Sequence, residues 1–140
     1  LFRSKDYLAK EHGITKMGMT GFCWGAKVAF VAAGKKEGLV DAVAACHASL
    51  IDKADVEAVN VPICLLDSKE EPENHTTEFK PIIEAKNPTK NVYKRFTTVH
   101  HGWMGTRGIE SVTDFEKDEV QKRWHEAMSD LVSFFSGAFA

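Results

Sequence analysis

A cysteine between two glycines is the feature of this sequence best suited to covalent chemistry. Cys23 lies at the centre of Gly-Phe-Cys-Trp-Gly, residues 21–25, where a strand-like apolar stretch gives way to a helix-like one. This is the cysteine form of the nucleophile elbow, a sharp turn whose glycines avoid collisions with the neighbouring strand and helix. The helix that starts there presents unpaired N–H groups, which favour a thiolate. We therefore predict that Cys23 is a nucleophile.

Two further reactive groups follow predicted strands in the order that such a nucleophile needs. An acidic loop at 67–74 follows the third predicted strand, and His101 follows the fourth. A thiol with a pKa near ~8.5 is only partly ionised at neutral pH, so an imidazole must take its proton and a carboxylate must orient that imidazole. Nucleophile, acid and histidine in this chain order are typical of the α/β-hydrolase fold.

Alternating strands and helices predict how these groups are positioned. The apolar patterns predict helices at 3–12, 25–34, 52–59, 76–86 and 113–135, and strands at 16–20, 39–47, 61–66 and 91–97. Strands that alternate with helices pair in parallel through right-handed crossovers. We expect one α/β domain over residues 1–140, a three-layer, open and mostly parallel sheet, with its chemistry at the carboxyl ends of the strands. The charged strand at 91–97 is expected at a sheet edge.

Three motifs together resemble the dienelactone hydrolase family, particularly its fungal-type members. They are Gly-Phe-Cys-Trp-Gly after a strand, an acidic Ser-Lys-Glu-Glu loop, and His-Gly-Trp-Met after the last strand. The resemblance implies a hydrolase of esters or enol-lactones that needs no cofactor. It implies Cys23 as nucleophile, His101 as general base and Glu70 as acid, where the family has aspartate; Asp67 and Glu71 remain alternatives. The N–H of Trp24 is then one donor of the oxyanion hole.

The resemblance covers only the carboxyl-terminal portion of the family's domain. The chain also begins at Leu1 without an initiator methionine. Together these imply a truncated α/β-hydrolase fold lacking its first strands, its second oxyanion donor and the family's substrate-anchoring arginines, and hence a fragment that turns over slowly or not at all. The alternative function is a non-catalytic fragment that forms a homodimer, or binds another chain, through the unpaired edge strand at 16–20.

Several other polar or reactive residues have two interpretations each. His100 is a rival of His101 by adjacency, and His47 either lines the same cleft or is a hydrogen-bonded structural histidine. Arg107 binds a substrate carboxylate near the site or is simply solvated. Cys46 and Cys64 lie inside apolar strands, so we predict that both are core residues.

Composition excludes several classes of function. The 140 residues are 44% hydrophobic and 27% charged with a net charge of -2, which is typical of a soluble globular domain and argues against nucleic acid or membrane surfaces as partners. Three cysteines without framework spacing favour a reducing, cytoplasmic location. Neither Cys-x-x-Cys nor His-x-x-x-His occurs, so no metal site is expected. The predicted partner is a small ester or lactone.

Overall fold

Four parallel strands form one sheet whose order follows the chain. In this computed structural model, which describes residues 2–35, 38–87, 89–105, 107–110 and 112–140, the strands are β1 (Gly18–Phe22), β2 (Ala42–Cys46), β3 (Ile63–Ser68) and β4 (Val92–Phe96). They pair in the order β1-β2-β3-β4. The predicted open, parallel α/β sheet is thus confirmed. Because all four strands run the same way, their carboxyl ends meet at one edge of the sheet.

Helices cover both faces of this sheet. They are α1 (Phe2–His12), α2 (Gly25–Ala33), α3 (Lys53–Ala58), α4 (Lys80–Lys86), α5 (Arg107–Glu110) and α6 (Asp114–Phe139). One buried cluster joins α2, α3 and α4 to one face, and a second joins α6 to the other, which gives the three predicted layers. Within the described ranges, no helix combines the length and apolarity needed to cross a membrane.

The second strand lies at the centre of this packing. All five of its residues are completely buried. Val43 and Ala45 belong to the cluster on the α2 side, whereas Ala42, Ala44 and Cys46 belong to the cluster on the α6 side. Successive residues of a strand point to opposite faces, so small side chains at these positions let a helix pack closely on each side.

Two strands lie two residues later than the sequence predicted, which matters for the site. The N–H and C=O of Met17 pair with the Asp41 side chain and backbone, so β1 begins at Gly18 and extends to Phe22. The proline at 62 lacks a ladder donor, and β3 accordingly begins at Ile63 and extends to Ser68. Cys23 is therefore the first residue after β1, and Asp67 lies inside β3 rather than in the loop that follows.

Three helical segments also differ from the prediction. The predicted helix at 76–86 is divided into a π-helical turn, His75–Phe79, and α4, with Pro81 in the first turn of α4, where a missing N–H is tolerated. The short helix α5 was not predicted. The last helix begins close to its predicted start, after a capping box at Thr113, but it continues beyond residue 135 to Phe139, whose ring lies against Gly18.

The outermost strands are β1 and β4. The edge position predicted for the charged strand β4 is confirmed, and in the described part of the chain β1 pairs with β2 alone. An open edge offers unpaired backbone groups to another strand. Homodimer formation through β1 stays a prediction.

The two glycines of the elbow have different structural roles, which substitution to alanine tests. A Cβ at Gly21 would overlap the carbonyl of Gly25, whereas a Cβ at Gly25 meets no atom within 4 Å. We expect Gly21→Ala to lower the free energy of unfolding by about 1–3 kcal/mol. Gly25→Ala is the matched control, and it should be neutral or slightly stabilising because alanine favours the first turn of α2. Urea unfolding measures both, and equal losses would contradict the close approach at Gly21.

Candidate active site

The turn after β1 holds Cys23 in a strained backbone conformation. Its φ is 52°, in the left-handed region that non-glycine residues rarely adopt. The Cys23 N–H donates to the carbonyl of Cys46 at 3.2 Å, and its own carbonyl accepts from the N–H of Ser49 at 3.0 Å. Helix α2 begins two residues later at Gly25. The predicted elbow is therefore present, with the thiol exposed at the carboxyl edge of the sheet.

The residue after Cys23 lies at the start of α2, where the sequence predicted it. Trp24 directly precedes α2 with helical dihedral angles, and its indole is 62% exposed. Its backbone N–H lies near the Cys23 sulfur and contributes to lowering the pKa of that thiol. A donor close to the sulfur is also close to any carbonyl that the sulfur attacks.

The histidine predicted after the last strand is held by two neighbouring glutamates. Nδ1 of His101 lies 2.7 Å from Oε1 of Glu71, and the backbone N–H of His101 donates to Oε2 of Glu70 at 2.9 Å. The carboxylate on the imidazole ring is thus that of Glu71, one of the alternatives left open by the sequence. Glu70, the predicted acid, instead fixes the backbone of the loop that carries His101.

Burial distinguishes the three carboxylates of this region. Glu71 is only 5% exposed, and it also accepts from the N–H of Ser68. Asp67 is completely buried within β3, where its Oδ2 lies 3.0 Å from Nδ1 of His75 and burial raises its pKa. That pairing removes Asp67 from the set of candidate acids for His101.

Arg95 of β4 binds the loop that carries the acid. Its guanidinium donates to the carbonyl oxygens of Ser68, Glu71 and Pro72, and also to Thr76 and Glu73. Guanidinium groups form such multiple, directional contacts well. The acidic loop is therefore attached to the strand that leads to His101.

The pKa shifts of Cys23 and His101 favour a charged pair. The nearby imidazole of His101 and the hydrogen bond with Ser49 lower the pKa of Cys23, against the opposing effect of burial. For His101, burial acts to lower the pKa, but the nearby Cys23 thiol and the contact with Glu71 outweigh it, so the net shift is upward. The lowered pKa of the thiol and the raised pKa of the imidazole mean that each group favours the charged form of the other, thiolate beside imidazolium.

A serine between these two groups was missed by sequence reasoning. Oγ of Ser49 lies 3.6 Å from Sγ of Cys23 and 3.5 Å from Nε2 of His101. The available signal was its position, three residues after β2 ends at the same sheet edge. A serine after a strand is commonly a turn or cap residue, so this signal is weak.

His47 lies beside the site, and its side chain is buried. Its ring centroid lies 5.0 Å from that of His101, and neither ring nitrogen has a hydrogen-bond partner among the described residues. Burial lowers its pKa to about 4, so the ring is neutral near pH 7. His47 therefore packs against His101 without the hydrogen bonds expected of a structural histidine.

The other residues with two interpretations make contacts outside the cleft. Nε2 of His100 is 2.9 Å from the carbonyl of Arg107, which fixes His100 to α5. Arg107 itself is exposed and, as far as the described residues go, does not line the cleft beside His101. Cys46 and Cys64 are completely buried, which confirms both as core residues, and burial raises the pKa of Cys46 to about 12. The described residues contain no cluster of three or more metal-binding side chains.

A cleft of about 520 Å³ opens next to the histidine. Its wall is formed by the loop after β2 and the loop after β3, and includes Ser49, Leu50, Glu71, His75 and His101. This volume suits a small organic molecule. A molecule in this cleft would contact Ser49, Glu71 and His101.

Comparison with known proteins agrees with this architecture. Residues 3–139 match the model of the dienelactone hydrolase family. Two AIM2 family proteins of Schizosaccharomyces pombe are 33% identical over 121 residues and 36% identical over 94 residues. These matches cover 85% and 66% of this chain but 45% and 37% of the relatives, so the chain spans less than half of their length.

A solved structure shares the fold. The crystal structure of a protein described as a dienelactone hydrolase from Klebsiella pneumoniae superposes with a TM-score of 0.61 at 17% identity. The superposition covers 87% of this chain and 56% of that protein. At this identity the likeness concerns the fold alone.

The three cysteines should differ sharply in reactivity. Cys23 is exposed with a lowered pKa, whereas Cys46 and Cys64 are buried with raised pKa values. We expect iodoacetamide at pH 7 to add one carbamidomethyl group to the folded chain, at Cys23, and none to the Cys23→Ala variant. Intact mass and peptide mapping measure this. Urea-unfolded protein, in which all three should react, is the control, and labelling of Cys46 in the folded state would contradict the assignment.

Proposed function

Because the chain belongs to the dienelactone hydrolase family, we propose that it hydrolyses a small ester or enol-lactone with Cys23, His101 and Glu71 as its catalytic triad. The observation that carries this proposal is the 2.7 Å contact between Glu71 and Nδ1 of His101, which leaves Nε2 on the side of Cys23. A carboxylate on one ring nitrogen fixes the tautomer and stabilises the imidazolium. Glu71 thereby replaces Glu70 as the proposed acid.

The first half-reaction acylates the thiol. The Cys23 thiolate attacks the ester carbonyl carbon, and the resulting oxyanion accepts a hydrogen bond from the Trp24 N–H. Collapse of the tetrahedral intermediate breaks the carbon–oxygen bond, and the leaving alkoxide or enolate takes a proton from the His101 imidazolium. The products are an alcohol, or a ring-opened enol, and a thioester at Cys23.

The second half-reaction regenerates the enzyme. Neutral His101 takes a proton from water at Nε2, and the hydroxide attacks the thioester carbonyl. Collapse releases the carboxylic acid and the Cys23 thiolate, while Glu71 stabilises the imidazolium that forms. Protein groups and water suffice for every step.

The chain's share of its relatives' length bears on its rate. The Trp24 N–H is one of the two oxyanion donors that α/β-hydrolases use, and the other comes from a loop after an earlier strand. Removing one donor typically lowers the rate by about 10²–10³-fold. A stoichiometric measurement of acylation is therefore preferable to turnover, because one acyl group at Cys23 is detected even when the rate is low.

A second candidate function is association with a second copy of the chain. It is favoured by the open edge of β1 and by exposed apolar side chains near its end, Phe22 and Trp24. Hydrolysis accounts for more of the site, since an interface through β1 requires neither the strained Cys23 nor the Glu71–His101 pair.

Replacing the nucleophile tests the hydrolase directly. We expect p-nitrophenyl acetate to acetylate the wild-type chain at Cys23 and to release p-nitrophenolate, and we expect Cys23→Ala to lose both. Intact mass and absorbance measure the two products. Cys64→Ala is the matched control, because that thiol is buried in β3. Undiminished hydrolysis by Cys23→Ala would overturn the mechanism.

The adjacent glutamates provide a test of the acid. Glu71→Gln keeps the size of the side chain but removes the charge that stabilises the imidazolium, so we expect acylation to slow by about 10²–10⁴-fold. Glu70→Gln retains an oxygen that accepts from the His101 backbone, and its rate should stay within a few fold of wild type. Stopped-flow acylation rates compare the two variants. If Glu70→Gln were the slower, the acid would be the one first predicted from the sequence.

A further inference from the structure

Backbone strain in this chain is concentrated around the site. In the described ranges, three non-glycine residues have φ between 39° and 61°: Cys23, His47 and Leu50. Such conformations cost free energy and persist where the surrounding structure imposes them. Cys23 is explained by the elbow. His47 and Leu50 are the first and last residues of a four-residue loop after β2, and the triad does not by itself explain their strained conformations.

That loop places the Ser49 hydroxyl between the two groups that exchange a proton. Its Oγ lies 3.6 Å from Sγ of Cys23, a normal separation for a contact with sulfur, and 3.5 Å from Nε2 of His101. Hydrogen bonds in sites without substrate are often long and shorten when the substrate binds. The Ser49 N–H also donates to the Cys23 carbonyl at 3.0 Å, which ties the serine backbone to the elbow.

We propose that the Ser49 hydroxyl relays the proton between Cys23 and His101, an inference that rests on the proposed function for its place in the reaction. The thiol donates its proton to Oγ of Ser49 while the Ser49 hydroxyl donates its own to Nε2 of His101. The serine ends as a hydroxyl, the sulfur as a thiolate and the ring as an imidazolium. In that state the hydroxyl turns and donates to the thiolate.

The charged groups around this relay are already engaged. His101 is paired with Glu71, while Glu70 accepts from the His101 backbone. On the other side, Lys27 of α2 is bound to Asp52 and Asp55. With these ionic groups committed to other partners, a hydroxyl that can both accept and donate is suited to link the sulfur to the imidazole.

The neutral imidazole of His47 adds no charge to the relay at neutral pH. Its ring packs against that of His101, and burial lowers its pKa. A further polar group near the sulfur is the backbone N–H of Trp24. Neither of these groups is changed by a substitution at Ser49.

The same geometry argues against Ser49 as the nucleophile. The serine is half-buried, while Cys23 is exposed beside the start of α2. Its sulfur also has the Trp24 N–H as a neighbouring donor. Ser49 therefore acts on the thiol rather than in its place.

The pH dependence of Cys23 alkylation tests the relay. Ser49→Ala removes the hydroxyl but keeps the backbone hydrogen bond to Cys23, and Ser49→Thr restores a hydroxyl. We expect the midpoint of iodoacetamide labelling to rise by about one pH unit in Ser49→Ala, the size of a lost hydrogen bond to an anion. Ser49→Thr should return towards wild type, and Ser133→Ala, on the exposed face of α6, should leave the midpoint unchanged.

Each outcome bears on one hypothesis. A midpoint unchanged in Ser49→Ala would overturn the relay, as would an equal rise in Ser49→Ala and Ser49→Thr. Ester hydrolysis that survives Cys23→Ala but not Ser49→Ala would make Ser49 the nucleophile. Because alkylation needs no ester, a chain that labels as expected and hydrolyses no ester would overturn the hydrolase alone.

Discussion

Two backbone hydrogen bonds between the elbow and the end of β2 hold Cys23 in place. The N–H of Cys23 donates to Cys46, and its carbonyl accepts from Ser49, so both sides of the strained residue are attached to the neighbouring strand and its loop. A residue with φ of 52° would otherwise relax to an extended conformation. The same turn requires a glycine at position 21, because the start of α2 passes so close to Gly21 that a Cβ there would overlap it.

The cost of burying charge determines how the acids are used. A buried carboxylate is tolerated when it is hydrogen-bonded or paired, and this region contains two. Asp67 takes His75 as its partner and Glu71 takes His101. Each buried carboxylate therefore has its own imidazole, and Glu70, which is exposed, makes a weaker backbone contact. This division explains why three acids within five residues yield one contact to the ring of His101.

Residue type and order predicted the elbow, the parallel sheet and the strand end that carries His101, because these follow from glycine spacing and apolar pattern. The choice between Glu70 and Glu71 could not be predicted, since it depends on a turn after β3 that moves one side chain inward and its neighbour outward. The shift of β1 depended on Asp41, a residue more than twenty positions from Met17. Ser49 lacked a motif, and its proximity to Cys23 and His101 is visible only when the loops after β1, β2 and β4 are seen to meet at one edge of the sheet.

Arg95 has a mechanical consequence. By binding three carbonyl oxygens and the Glu73 side chain of the acidic loop, and also Thr76 just after it, Arg95 joins that loop to β4. Glu71 and His101 are therefore held together through β4, whereas Cys23 is attached to the end of β2 and the start of α2. A displacement of β4 relative to β1 would alter the sulfur-to-imidazole separation more than the contact between Glu71 and His101.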